Sequence, residues 1–317
     1  MASGVGQIAV TVFWPEVIVG QPVVIFAFPG GGYARGYFDL QFAAHEGYSQ
    51  AAHHIARGFI LVAVDHLGVG ASTIEVNDEL RIEDIADANH QAVTQVLQRF
   101  KAGTVAAGLP PITPSRVVGT GQSMGGGVTI IMQGRHRTFD AIAPMGYSAV
   151  HTSLPQRDPG LRELGKSIFA SFTRDTPNSL LSVPATAREM PDFLYPFFFE
   201  DVPADIVEAD VGGGYPMRRN IPPWGSATVP RCVVGMMGRG YVAPEAASID
   251  VPVFMGFGER DVAETPVQEA GMFPQSRDVT IFVVPRMAHM HNFASTRRQL
   301  WDRSADWIDA VQRGAAY

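Results

Sequence analysis

Cysteine is almost absent: Cys232 is the only one in 317 residues. No disulfide can form within the chain, and no thiolate cluster can hold a metal. A reducing compartment is the setting this fits. Charge is sparse too, at 17% of residues, and 24 basic against 31 acidic side chains leave a formal charge of −7. A general binder of nucleic acid or of anionic membranes needs basic patches, so neither partner is expected. Long apolar runs are also missing. The most apolar early stretch, Val23–Phe28, is too short to span a bilayer and runs into Pro29 and three glycines. The N-terminus lacks the basic start and continuous apolar core of a secretory signal, so a cytoplasmic protein is expected. No repeat or low-complexity tract appears, and a hydrophobic content of 46% suits a globular chain with a large core.

What is present is an alternation of short β-branched runs with helical patterns, the mark of a mostly parallel sheet covered by helices. The runs Val23–Phe28, Phe59–Val64, Arg116–Thr120, Ala141–Met145, Val251–Phe257 and Val279–Val284 read as strands buried on both faces. Gln7–Trp14 reads as an antiparallel edge strand. Ile82 to Phe100 is the clearest helix: Ile82, Ile85, Ala86, Val93, Val96, Leu97 and Phe100 share one face, and Asn89 is the one polar residue on that stripe. Trp301, Trp307, Ile308 and Val311 suggest a C-terminal helix. From His151 to about Ser248 the rhythm breaks into prolines, aromatics and short helical pieces such as Leu161–Phe172 and Val202–Glu208. So long an interruption implies an inserted cap at 151–248, with 1–150 and 249–317 as the core.

Gly121-Gln122-Ser123-Met124-Gly125 lies between a strand and a glycine-rich helix start. A serine on a sharp strand-to-helix turn projects its hydroxyl from the sheet, and the N–H of the next residue faces a developing oxyanion. Glycines two positions either side keep side chains off the neighbouring strand and helix. The pentapeptide alone can arise by chance in a chain with 33 glycines; its context makes Ser123 the expected nucleophile. Pro29-Gly30-Gly31-Gly32-Tyr33 follows the strand Val23–Phe28. Its glycines let backbone N–H groups approach a substrate oxygen, so Gly31, then Gly32, is expected to join Met124 in an oxyanion hole. The plain alternative is a strand-end turn.

Asp261, in Gly258-Glu259-Arg260-Asp261, sits where an acid would point into the crevice beyond the strand ends. It would orient an imidazole, or else cap the segment Ala263–Gly271. Glu259 is its rival. His289 and His291 follow the last strand, where a base for the serine proton is needed. A His-x-His metal pair lacks a third ligand at known spacing, so no metal is expected. His53 and His54 read as surface or packing residues, and His45, His66, His90, His136 and His151 stay unassigned.

These segments together resemble the α/β-hydrolase superfamily, in its capped, serine-dependent carboxylesterase-like branch. The likeness rests on Pro29–Gly32, on Asp65-His66-Leu67-Gly68-Val69-Gly70-Ala71-Ser72, on the Ser123 turn, and on the Asp261 and His289 segments. It covers 1–150 and 249–317. Leu67 stands where the family usually has arginine, and Pro29 where many members have histidine. The resemblance implies the chain order Ser123, Asp261, His289. It also places the catalytic histidine four residues after a proline, which selects His289 from Pro285. Ser123 excludes the members that use aspartate or cysteine at that position.

The function expected is hydrolysis of a carboxylic ester through an acyl-enzyme, with a small-molecule ester as partner, no cofactor, and a homodimer left open. Lactone hydrolysis, C–C bond hydrolysis and acyl transfer can use the same three residues, and the fold also serves non-catalytic ligand receptors. Residues 191–200 hold four phenylalanines and a tyrosine. They are either the cap's own core or, with Tyr33, Phe193, Tyr195 and Phe198, the lining of an apolar entrance. Arginines at 157, 162, 174, 188, 218, 219, 231 and 239 offer a partner for a substrate carboxylate. A monoester of an aromatic diacid such as phthalate would use both features, and some capped esterases that the chain resembles act on such monoesters.

Overall fold

The computed structural model describes residues 6–73, 80–181, 192–216 and 218–314. Within them seven strands make one sheet: β1 (Val10–Phe13), β2 (Val23–Phe28), β3 (Ile60–Val64), β4 (Arg116–Gln122), β5 (Ala141–Met145), β6 (Val253–Arg260) and β7 (Val279–Ala288). Their order is β1-β3-β2-β4-β5-β6-β7, with β1 antiparallel to β3 and the remaining neighbours parallel. Every residue of β2, β3 and β5 is buried, as strands covered on both faces must be. Helices α1 (Gln50–Ala56), α2 (Ile82–Ala102) and α3 (Met124–His136) follow β2, β3 and β4. Between β5 and β6 lie α4 (Pro159–Ala170), α5 (Leu194–Phe197), α6 (Ala204–Val211), α7 (Cys232–Gly235) and α8 (Ala243–Ala246). After β7 comes α9 (Arg297–Arg313). No helix among the described residues is long and apolar enough to cross a membrane.

The chain moves outward from β2 to β3 and then returns past β2 to lay down β4. At such a reversal the loops leaving adjacent strands diverge and open a crevice beyond their carboxyl ends. The loop after β2 carries Gly30–Gly32 and the turn after β4 carries Ser123. Phe28 pairs with Gly121 at the end of the two strands, so the fold brings these glycines and this serine together.

Helix α2 buries Ile82, Ile85, Ala86, Val93, Val96 and Phe100, each large apolar side chain contributing about 1.5–3 kcal/mol. It stops at Gly103, whose φ of 68° is the left-handed conformation that ends helices. The last strand differs from expectation. Instead of ending at Val284, β7 runs through Pro285 to Ala288. As an edge strand it has an open side, where the missing proline N–H breaks no ladder bond. Its register with β6 shifts between Gly258 and Arg260, and Arg286, at φ 51°, donates its N–H to the Glu259 carboxylate at 2.9 Å. Such a bulge breaks the two-residue period, so an apolar run does not reveal it.

Candidate active site

Ser123 alone joins β4 to α3, at φ 54° and ψ −118°. A non-glycine residue held there costs about 1–3 kcal/mol, which the surroundings must supply. The Ser123 N–H donates to the Met145 carbonyl at 2.8 Å, and its own carbonyl accepts from Gly127 N–H at 3.1 Å. A Cβ on Gly121 would collide with the Gly125 backbone, and one on Gly125 with the Phe28 carbonyl. Both glycines are therefore required by close approach, as the sequence pattern implied.

The imidazole of His289 reaches Ser123 and Asp261 at once. Its Nε2 lies 2.9 Å from Ser123 Oγ, and its Nδ1 lies 2.7 Å from Asp261 Oδ1. A carboxylate can only accept, so Nδ1 carries the proton and Nε2 is left to accept from the serine hydroxyl. Asp261 also accepts the N–H groups of Gly258 at 2.9 Å and Val262 at 2.8 Å, and His291 Nε2 at 2.6 Å. Burial by itself would raise this carboxyl, but the imidazoles of His291 and His289 outweigh it and hold the group well below the usual carboxylate range. Asp261 does not cap a helix. Glu259, its rival, is occupied by the Arg286 N–H on the exposed side of the bulge. The His289 loop is pinned as well: its carbonyl accepts Gln122 Nε2 at 2.8 Å, and its N–H donates to the Pro196 carbonyl at 3.0 Å.

A Cβ on Gly30 would come within 3.2 Å of Ser123 Cβ, so the glycine loop lies against the serine. Met124 is the first residue of α3, so its N–H has no carbonyl one turn back to bond. Gly31 and Ser123 are partly open, whereas Gly30, Gly32, Gln122, Met124 and Gly125 are buried. A Cβ built on Gly31 would point towards Val233 and Val229, 3.6 and 3.8 Å from their Cγ1 atoms. The ring of Phe197 stands 6.0 Å from the His289 ring. Ser123, His289 and Asp261 thus form one hydrogen-bonded chain, an arrangement suited to acyl transfer.

Solved structures with this architecture are numerous, at low sequence identity. A thermophilic esterase from Thermogutta terrifontis is 16% identical over 97% of this chain and 94% of its own, with a TM-score of 0.60. Proline iminopeptidase from Mycobacterium smegmatis is 19% identical over 98% and 97%, at 0.62. A soluble variant of monoglyceride lipase from Saccharomyces cerevisiae is 15% identical over 97% and 93%, at 0.63. The chain has the α/β-hydrolase fold. No protein-family model matches the sequence, and no curated protein does.

Two departures from the usual α/β-hydrolase pattern are met by other residues. With Leu67 in the arginine position, the Asp65 carboxylate pairs with the guanidinium of Arg35 and accepts the N–H groups of Arg35 at 2.6 Å and Ala71 at 2.8 Å. Pro29, in the histidine position, is held through its carbonyl by His66 Nε2 at 2.9 Å. On its other side His66 Nδ1 meets Asn89 Nδ2 at 2.8 Å. Asn89, the polar break in the apolar stripe of α2, therefore fixes the tautomer of a histidine that tethers the glycine loop. Burial pushes His66 down to about 4, so the ring is neutral and Nδ1 accepts from the amide.

The proposed lining residues divide. Phe193 lies beside Phe197 and Tyr215, with ring centroids 4.9 and 5.8 Å away. Tyr195 is on the other side of that segment, between the guanidinium groups of Arg157 and Arg260 at 4.4 and 4.0 Å. It lines a cleft of about 310 Å³ with Arg162, Phe199, Asp261 and Glu264. Phe198 packs on Phe293 at 5.7 Å, and Tyr33 is fully buried with its hydroxyl on Asp210 at 2.6 Å. Alternate residues of a short turn point opposite ways, so one aromatic-rich run serves both core and cleft. Among the arginines, Arg157, Arg174 and Arg218 already pair with carboxylates, and Arg188 lies outside the described residues.

Proposed function

We propose that the protein is a serine hydrolase that cleaves a neutral carboxylic ester with an apolar acyl group, and that residues 151–248 are its cap. The observation that carries this reading is the unbroken relay Ser123–His289–Asp261, with contacts of 2.9 and 2.7 Å. As Ser123 Oγ attacks the ester carbonyl, His289 Nε2 takes its proton and Asp261 stabilises the imidazolium. The N–H groups of Met124 and Gly31 receive the oxyanion. The tetrahedral intermediate expels the alcohol, which leaves with the proton from His289. Water, deprotonated by the same nitrogen, then attacks the acyl-enzyme and releases the acid and Ser123. Cys232 is no rival, because burial pushes its thiol up to about 12.

The choice of a neutral substrate rests on Val229 and Val233 beside Gly31 and Phe197 beside His289, and on the carboxylates that Arg157, Arg174 and Arg218 already hold. A kinetic panel tests it: p-nitrophenyl esters of graded chain length, lactones, and monoalkyl against dialkyl phthalates. The reading expects kcat/KM to rise from acetate to a medium chain and the dialkyl phthalate to exceed the monoalkyl. Preference for the monoalkyl compound would instead assign an arginine to a substrate carboxylate.

A further inference from the structure

In the glycine loop beside Ser123, three successive carbonyls are tied down. A trans peptide plane carries its N–H and C=O in opposite directions, so whatever grips the carbonyl also aims the N–H. The Gly30 carbonyl shares a plane with the N–H of Gly31, and it accepts from Tyr33 N–H at 3.1 Å. The Gly31 carbonyl shares a plane with the N–H of Gly32, and it accepts the Tyr215 hydroxyl at 3.0 Å. The Gly32 carbonyl accepts from the guanidinium of Arg218.

Tyr215 and Arg218 do not belong to the sheet. They follow α6, in the stretch between β5 and β6, and that stretch supplies their support. Arg218 pairs with Asp210 of α6 at 2.8 Å, and neither side chain is exposed. Asp210 further accepts the Tyr33 hydroxyl at 2.6 Å and Trp224 Nε1 at 2.8 Å. The Arg218 guanidinium lies 4.8 and 4.9 Å from the ring centroids of Tyr33 and Tyr215. Gly32, at φ 82°, has no Cβ where the Tyr215 ring sits. Removing a charged pair from water carries a large cost, so such a pair is weak evidence of added stability and better evidence of a fixed geometry. Here the geometry fixed is that of the peptide planes of the glycine loop.

We propose that Tyr215 and Arg218, braced by Asp210, are positioning residues that set the oxyanion hole from the inserted stretch, so that the hole is complete only when that stretch is seated on the glycine loop. This rests on the serine-hydrolase reading. Neither side chain touches the substrate; Tyr215 acts through the peptide next to that of the Gly31 donor, and Arg218 through the following peptide, whose Tyr33 N–H in turn holds the Gly30 carbonyl. The arrangement couples the seating of that stretch to the ability to stabilise the transition state.

Tyr215→Phe is the decisive variant, because it keeps the ring against Arg218 and deletes only the hydroxyl. We expect kcat to fall about 10-fold, less than the loss of a direct oxyanion donor, with KM within about twofold and the thermal midpoint near wild type. The specific readout is a pair of inhibitors with the same acyl chain. A trifluoromethyl ketone forms an oxyanion on Ser123, whereas the matching amide binds without forming one. The ketone should weaken by about the same factor as kcat and the amide should not change. An unchanged kcat, or ketone and amide weakened equally, would overturn the proposal. Ser123→Ala run alongside separates the two readings. If it is inactive while Tyr215→Phe behaves as wild type, only the positioning role fails. If Ser123→Ala hydrolyses ester normally, the serine mechanism fails and takes the positioning role with it.

Discussion

Acid should begin to destabilise this protein well above the ordinary carboxylate range, because two histidines are buried in the neutral form. His66, between Pro29 and Asn89, is pushed down to about 4 by burial. His54 is pushed down to about 3, mainly by burial, with His53 and Arg57 acting in the same direction. In the unfolded chain both return to about 6.5. As pH falls through that value the unfolded chain takes up two protons that the folded chain refuses. The stability lost is therefore absent above about 6.5, grows below it, and stops growing only near 4 for His66 and near 3 for His54. At pH 5, about 1.5 units below the unfolded value, each histidine has removed about 2 kcal/mol, or about 4 kcal/mol together. That is a large share of the roughly 5–15 kcal/mol by which domains are stable. His53, His90 and His151 are shifted in the same sense by partial burial and add to the effect, whereas the Asp210 and Glu269 carboxyls, raised by burial, oppose it in part. Asp261 does not contribute in this window. Its carboxyl is depressed, so its stabilising effect is complete above the ordinary carboxylate value and is lost only below it. Urea unfolding followed by tryptophan fluorescence at about pH 7.5, 6 and 5 measures the slope. A free energy of unfolding that stays flat from about pH 7 to pH 5 would refute the neutral burial of both rings.

Three further outcomes follow from the site. Asp261→Asn should be folded and lose about 10⁴-fold in kcat, because an amide favours the wrong imidazole tautomer, whereas Glu259→Gln should stay near wild type. Equal losses in a kinetic comparison would contradict the assignment of the acid. His289→Ala should lose at least about 10⁴-fold, while His291→Gln, which removes one of four donors to Asp261, should keep within about 100-fold; the reverse ranking would make His291 the base. Gly125→Ala should lower stability by more than about 2 kcal/mol, since its Cβ meets the Phe28 carbonyl rather than a movable side chain. A wild-type melting temperature would show that the turn yields more easily than its contacts imply.

Strands β2, β3 and β5 were readable because they are buried on both faces, and double burial leaves continuous apolar runs; β7, read the same way, is instead half-buried to exposed along most of its length. Ser123 was readable because backbone collisions dictate glycine at 121 and 125, and backbone demands leave marks in sequence. The end of β7 was not readable, because a bulge changes the period. Nor were the partnerships of side chains far apart in the chain. Asp210–Arg218 and His66–Asn89 are joined by folding, and a single buried polar residue looks the same in sequence as an exposed one. Asn89 was the exception that carried a signal, as a polar side chain within an apolar stripe. The opposed directions of Tyr195 and Phe193 depend on a short turn whose residues alone do not set which way each ring points.

The central claim, that Ser123 is the nucleophile of an ester hydrolase, is tested most directly by covalent trapping. A fluorophosphonate probe should modify the native protein at one site, identified by peptide mass spectrometry as the Ser123 hydroxyl. Ester hydrolysis should disappear in proportion to labelling. The denatured protein and the Ser123→Ala and His289→Ala variants should not be labelled. Labelling at another residue, or a fully labelled protein that still hydrolyses ester, would contradict the account.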